Sequence, residues 1–162
     1  GTAGIESFNQ ALKSALNGDK KAWQCIGKFA AGDKVMQTRN NYDLDIFNGD
    51  MGRIGQIIDG DTGVSVNMDG RKVAISRNDM SDLQIAYAIS IHKSQGSEFP
   101  IVIIPLLRQH FIMLQRNLLY TALTRGRKKV FIIGDESAWK MAVKNIRSTR
   151  RRTFLKERLE SI

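Results

Sequence analysis

At 162 residues, 42% of them apolar, the chain can build one full core or a core with a small satellite, and none of its apolar runs is long enough to span a membrane. A single cysteine, Cys25, excludes an internal disulfide and a Cys-rich zinc centre and fits a reducing cytoplasm. The formal charge of +9 is uneven: residues 1–107 carry 11 basic and 12 acidic side chains, whereas residues 108–162 carry 14 and 4, the footprint either of a surface facing a polyanion or of a solvated basic tail.

The opening Gly1-Thr2-Ala3-Gly4 has neither an initiator Met nor a signal-peptide pattern and reads as the interior of a longer polypeptide. Ile5, Phe8, Leu12, Ala15 and Leu16 recur at near-helical spacing, which predicts an amphipathic helix over residues 4–17 stopped by Asn17-Gly18. Residues 18–32 predict only loop or edge strand. Residues 33–38 predict a short strand, followed by the polar cluster Arg39-Asn40-Asn41-Tyr42 and a turn at Phe47-Asn48-Gly49-Asp50. Three short strands follow, at residues 52–58, 64–68 and 71–75, the last two joined through Asp69-Gly70, a type I′ hairpin signal. Three such strands cannot enclose a large core, so they predict a small barrel-like, SH3-like insert. The spacing Gly49-x-x-Gly52-x-x-Gly55 lacks a strand–turn–helix context and is assigned to turns and bulges.

Alternation of Leu83, Ile85, Tyr87 and Ile89 predicts a strand. A single helical turn follows, capped by Ser90 and closed by Gly96. The apolar run of residues 100–107 predicts a strand covered on both faces, with Pro105 marking its end. Leu114, Leu118, Leu119, Ala122 and Leu123 form a helical stripe ending at Gly126. A buried strand is predicted at residues 130–133, then a helix over 136–146 whose apolar face is Trp139, Ala142, Val143 and Ile146. Strand, helix, strand, helix is an α/β layer pattern. The tail holds Arg147, Arg150, Arg151 and Arg152 and a short stripe of Leu155, Leu159 and Ile162. It reads equally as a solvated helix or as a patch for a nucleic-acid backbone.

Two signatures carry charge that a core does not need: Ser90-Ile91-His92-Lys93-Ser94-Gln95-Gly96-Ser97-Glu98-Phe99 and Leu119-Tyr120-Thr121-Ala122-Leu123-Thr124-Arg125-Gly126-Arg127. His92, Lys93, Ser94 and Gln95 put four donors on one turn, the mix that tracks a phosphate backbone without reading sequence. Glu98, after a Gly-Ser turn, can accept from sugar hydroxyls or make an ordinary cap or ion pair. Arg125 closes an apolar helix. Its guanidinium suits phosphate, yet it equally complements a helix C-terminus, and position alone does not separate the two.

The first signature resembles motif V of superfamily 1 DNA helicases and the second resembles motif VI. Their order, and the β insert ahead of motif V, look like the RecD-like branch, which includes the exodeoxyribonuclease V alpha subunit. Residues 1–9, 33–37 and 47–52 are similar to that branch as well. The resemblance implies an α/β fold: a RecA-like parallel sheet with helices on both faces, over residues 1–48 and 85–162, interrupted by an SH3-like β-barrel insert at 49–84. It implies that Arg125 is an arginine finger at the ATP γ-phosphate and that Glu98, with Gly96 in the turn before it, borders the nucleotide. It also implies that Ser90, His92, Lys93 and Ser94 lie along single-stranded DNA, with Gln37 and Asn41 beside the same track. ATP and Mg²⁺ would be bound mainly by an N-terminal motor domain of the same protein, since this chain has no G-x-x-x-x-G-K-[ST] loop. No metal ligand is expected here. Movement would be 5′ to 3′, and some family members work within nuclease complexes. The alternative is a non-catalytic, basic nucleic-acid-binding module.

Overall fold

The computed structural model describes residues 4–18, 20–58, 60, 62–108, 114–146 and 159. The chain divides into two compact units, residues 1–93 and 94–162.

The first unit opens with α1 (Ile5–Asn17), where the apolar spacing predicts it. Gly18 ends the helix at φ 60°, its N–H donating to Ser14 O at 3.2 Å. The stripe is less buried than its periodicity suggests: Ile5 and Leu16 are exposed, whereas the polar Asn9 is buried. Asn9 donates from Nδ2 to Ala88 O at 2.9 Å and accepts at Oδ1 from Ala88 N at 2.8 Å. Its amide thus takes the place of a strand neighbour for that residue. The strand predicted over 83–89 is only three residues long here.

A two-stranded hairpin, β1 (Cys25–Ile26) and β2 (Phe29–Ala30), precedes a five-stranded antiparallel sheet. Its strands are β3 (Lys34–Gln37), β4 (Met51–Ile58), β5 (Gly63–Met68), β6 (Arg71–Ser76) and β7 (Leu83–Ile85). The order β6-β5-β4-β3-β7 leaves β6 and β7 as edges. Asp69 and Gly70 both have positive φ, 48° and 88°, as a type I′ turn requires. The register slips between Ile54 and Gln56 on β4, so Gly55 sits at a bulge. Val35, Ile54, Val64, Val66, Val73, Ile75 and Leu83 point inward and close on Phe29 and Ile46. The predicted insert boundaries do not match this pairing. β3, before residue 49, is hydrogen-bonded to both β4 and β7, so one sheet runs across both limits.

Asp33, fully buried, ties the elements of this unit together. It accepts from Lys13 Nζ at 2.6 Å, Asn17 Nδ2 at 2.9 Å, Ala30 N at 2.8 Å and Tyr87 OH at 3.2 Å. A buried carboxylate survives when its lone pairs are taken up in this way. Burial, and next the Asp33 charge, raise the Tyr87 pKa above the ordinary phenol value.

The second unit pairs β8 (Phe99–Leu106) with β9 (Gly126–Gly134) in parallel. The helices are α2 (Arg116–Leu123) and α3 (Glu136–Lys144). β8 runs through Pro105, which pairs opposite Ile133 instead of ending the strand. Among the described strands β8 has a neighbour on one side only, and an edge tolerates a residue without an N–H. α2 ends at Leu123, and β9 starts at Gly126, so Arg127, Lys128 and Lys129 belong to the strand. On α3 the buried residues are Ala138 and Ala142, whereas Val143 and Ile146 are exposed. Of the predicted face, Ala142 is buried and Trp139 half-buried, and Ile146 lies beyond the end of the helix at Lys144. Cover on both faces of the strands is absent among the described residues: Ile101, Ile103, Phe131 and Ile133 are all exposed. The tail residues Arg147, Arg150, Arg151, Arg152, Leu155 and Ile162 lie outside the described ones.

Candidate functional site

In the second unit the parallel pairing brings the two signatures together at the entry to β8 and β9. Phe99 N donates to Arg125 O at 2.8 Å, and Phe99 is in register with Gly126. Arg125 follows the last turn of α2, where its half-buried guanidinium is held at three points. Nε donates to Thr121 O at 3.1 Å, Nη1 to Ser97 O at 3.1 Å and Nη2 to Thr124 Oγ1 at 3.2 Å. The Thr121 contact is a helix C-terminal carbonyl accepting from a cation, the purely structural role for Arg125. The Ser97 contact is not local, and it puts the guanidinium against the turn that carries Gly96 and Glu98.

Gly96 adopts φ 84° and is exposed. Glu98 is also exposed and lies 3.5 Å from Arg127 Nε. With both side chains mostly in solvent, this pair holds Glu98 weakly and can be exchanged for a ligand hydroxyl. Nothing in the local sequence pattern marks Arg127 as the partner of Glu98. Its place in a strand, two residues beyond Arg125, is what sets it there.

In the first unit, Ser90 caps the following turn, its Oγ accepting from Lys93 N at 3.3 Å. His92 and Lys93 are exposed, and Lys93 Nζ donates to Gln84 Oε1 of β7 at 2.7 Å. Ser90 and Lys93 line a small cavity of about 60 Å³ together with Met36 and Gln84. Three further predicted track residues are buried or half-buried. Ser94, which opens the second unit, is buried. Gln37 is fully buried on β3, with neither amide atom hydrogen-bonded. Asn41 is half-buried, and its Oδ1 accepts from Leu44 N at 3.1 Å, which braces its own loop. The run of polar letters does not reveal the burial of Gln37 and Ser94.

Two family models match the chain. The UvrD-like helicase C-terminal domain covers residues 85–133, a span holding both signatures, and the ATP-dependent RecD-like DNA helicase SH3 domain covers residues 8–69. The ATP-dependent RecD2 DNA helicase of Deinococcus radiodurans is 37% identical over 99% of the chain. The chain belongs to the RecD-like DNA helicase family. A second RecD-like relative, the RecBCD enzyme subunit RecD of Mycolicibacterium smegmatis, is 31% identical over 98% of the chain. The chain spans 22% and 27% of the lengths of these two relatives. Its fold is similar to that of the Pif1 helicase from Bacteroides in complex with ADP-AlF3 and ssDNA, with a TM-score of 0.63 over 99% of this chain and 43% of that one, at 20% identity. Pif1 helicase from Candida albicans gives 0.60 over 98% and 47%, at 16% identity. These likenesses agree with the RecA-like class, and the SH3 match with the β-rich first unit.

A nucleotide fits this RecD-like site only in part. One guanidinium, one exposed carboxylate and a tight glycine turn suit the edge of a phosphate and sugar. Among the described residues there is no group of three His, Cys, Asp or Glu that could hold a metal ion.

Proposed function

We propose that this chain is the C-terminal part of an ATP-dependent DNA helicase, meeting nucleotide at one edge and single-stranded DNA along another surface. The observation that carries the reading is Arg125, whose guanidinium is held by Ser97 O next to Glu98. Arg125 would serve as the arginine finger. Leaving Ser97 O for a γ-phosphate oxygen exchanges a neutral acceptor for an anionic one, which strengthens the hydrogen bond. Bound nucleotide supplies the phosphoryl group whose hydrolysis drives the cycle. Glu98 would accept from a sugar hydroxyl once Arg127 lets go, with Gly96 allowing the close approach.

Ser90, His92 and Lys93 would contact the backbone of single-stranded DNA, with Gln37, Asn41 and Ser94 shaping the surface beneath. Movement would be 5′ to 3′. The phosphate loop and the acidic residues for Mg²⁺ would come from an N-terminal motor domain of the same polypeptide, and nuclease-complex subunits, as the relatives named RecBCD subunits suggest, are a further class of partner.

The test is Arg125→Ala in the full-length polypeptide. We expect DNA-stimulated ATP hydrolysis to fall by about 10³-fold or more, the scale of arginine-finger losses, with affinity for single-stranded DNA unchanged. ATPase activity within a factor of a few of wild type would sink the finger assignment and favour the non-catalytic module.

A further inference from the structure

The outer face of the five-stranded sheet carries a cross-strand row unrelated to either signature. Lys34 on β3 is in register with Arg53 on β4, Arg53 with Asn67 on β5, and Asn67 with Lys72 on β6. Residues directly opposite one another share a face. Their sequence neighbours Val35, Ile54, Val66 and Val73 are all buried on the other. Arg53, Asn67 and Lys72 are exposed and Lys34 is half-buried. Three steps of about 4.8 Å make a row of roughly 14 Å, running across the strands.

The row contains three cations, one amide and no acid. Two of its cations, Lys34 and Arg53, sit directly opposite each other, an arrangement that destabilises a sheet. An open cavity of about 250 Å³ lies at the Lys34, Arg53 and Asn67 end of the row, lined also by Met51, Gly52, Asp69 and Gly70, and Lys72 is outside that lining. Asp69 is the one carboxylate in that lining.

We propose that this row is a phosphate track, and that a single-stranded nucleic acid crosses the outer face of the sheet with its backbone on Lys34, Arg53, Asn67 and Lys72. It takes from the preceding section only that such a strand is bound. The contacts are to phosphate oxygens, so binding here is independent of sequence. The Arg53 guanidinium, whose Nη1 donates to Gly32 O at 3.1 Å, offers its remaining donors to one phosphate, the ammonium groups act as point charges, and the Asn67 amide donates a hydrogen bond. Burial, and secondarily the Arg53 charge, lower the Lys34 pKa from its ordinary value, and a phosphate between the two cations removes that repulsion. Asp69 weakens the grip, which suits a strand that must be released and regripped.

The test uses fluorescence anisotropy of a labelled oligothymidylate on the whole chain, as wild type, as Lys34→Met with Arg53→Gln, as Lys72→Gln and as Asp69→Asn. The double variant keeps both side-chain stems but removes the Arg53 Nη1 hydrogen bond to Gly32 O at 3.1 Å, so its melting temperature is read beside Kd, and Lys72→Gln gives the second, independent arm. The double variant's Kd should rise about tenfold. Its salt dependence should flatten by roughly 0.7 in log–log slope for each phosphate that is no longer neutralised. Lys72→Gln should act in the same direction, and Asp69→Asn should lower Kd. Unchanged Kd and slope in the double variant, beside a wild type that binds, would overturn the track and leave the helicase reading standing. A wild type that binds no oligothymidylate would overturn both. A final arm titrates inorganic phosphate alone: saturation at low concentration that the double variant abolishes, while oligothymidylate binding is unaffected, assigns the cavity to a small anion and overturns the strand proposal.

Discussion

Arg125 makes its three hydrogen bonds to groups that can each find another partner, two carbonyls and a hydroxyl. The guanidinium is therefore oriented without being locked in an ion pair, as the proposed finger role requires. Arg127 differs. Its contact with Glu98 is between two exposed groups, so Arg127→Ala should change the unfolding free energy by less than about 1 kcal/mol, measured by urea denaturation. Gln37 is the opposite case. Its amide is fully buried with no hydrogen-bond partner on either atom, and an orphaned buried polar group is costly. Gln37→Met keeps the volume and removes the polar atoms. It should raise stability by about 1 kcal/mol, and a destabilised variant would mean that the amide has a partner in the working protein. Tyr87 gives a pH signature. Burial, then the Asp33 charge, raise its pKa, so the folded state holds the phenol proton more tightly than the unfolded chain does. The associated stability is fully present below the ordinary phenol value of about 10 and is lost as pH rises through the higher folded value. Ultraviolet titration of the phenolate, wild type against Tyr87→Phe, isolates this group, and Asp33→Asn should move its midpoint downward.

At the scale of elements, α1 is attached to the sheet less by its apolar stripe than by polar anchors. Lys13 and Asn17 reach Asp33, and Asn9 pairs with Ala88. Removing one partner of a buried pair leaves the other uncompensated, so Asp33→Ala should cost about 3–5 kcal/mol. A loss under about 1 kcal/mol, read from denaturant melts, would mean that the cluster does not hold the helix. The periodicity of residues 4–17 made α1 legible, but nothing in it marked Asn9 or Asp33, because partners 79 and 20 residues away are invisible to a local pattern. The type I′ turn at Asp69-Gly70 was legible for the opposite reason: its geometry depends on two adjacent residues that accept positive φ. The strand pairing of β3 with β4 and β7 was not legible, since β3 is separated from β7 by the whole meander.

At the scale of the molecule, the chain spans about a fifth to a quarter of the relatives it matches, and the proposed function gives it only part of a nucleotide site. We expect the 162-residue chain alone to show no DNA-stimulated ATP hydrolysis, by phosphate-release assay, while retaining salt-sensitive binding to single-stranded DNA; hydrolysis above background would contradict the proposed division of labour between the two motor domains. The amino-acid sequence by itself determined the family, through two compact signatures whose side chains act within a few residues of one another. It also determined the helix periods, the hairpin turn and the imbalance of charge. Only the tertiary structure decided that Arg125 meets Ser97 and Arg127 meets Glu98, that Gln37 and Ser94 turn inward, and that three cations and an amide from four strands line up in one row. The first set depends on neighbours along the chain, whereas the second depends on strand register, which brings together residues that the chain keeps far apart.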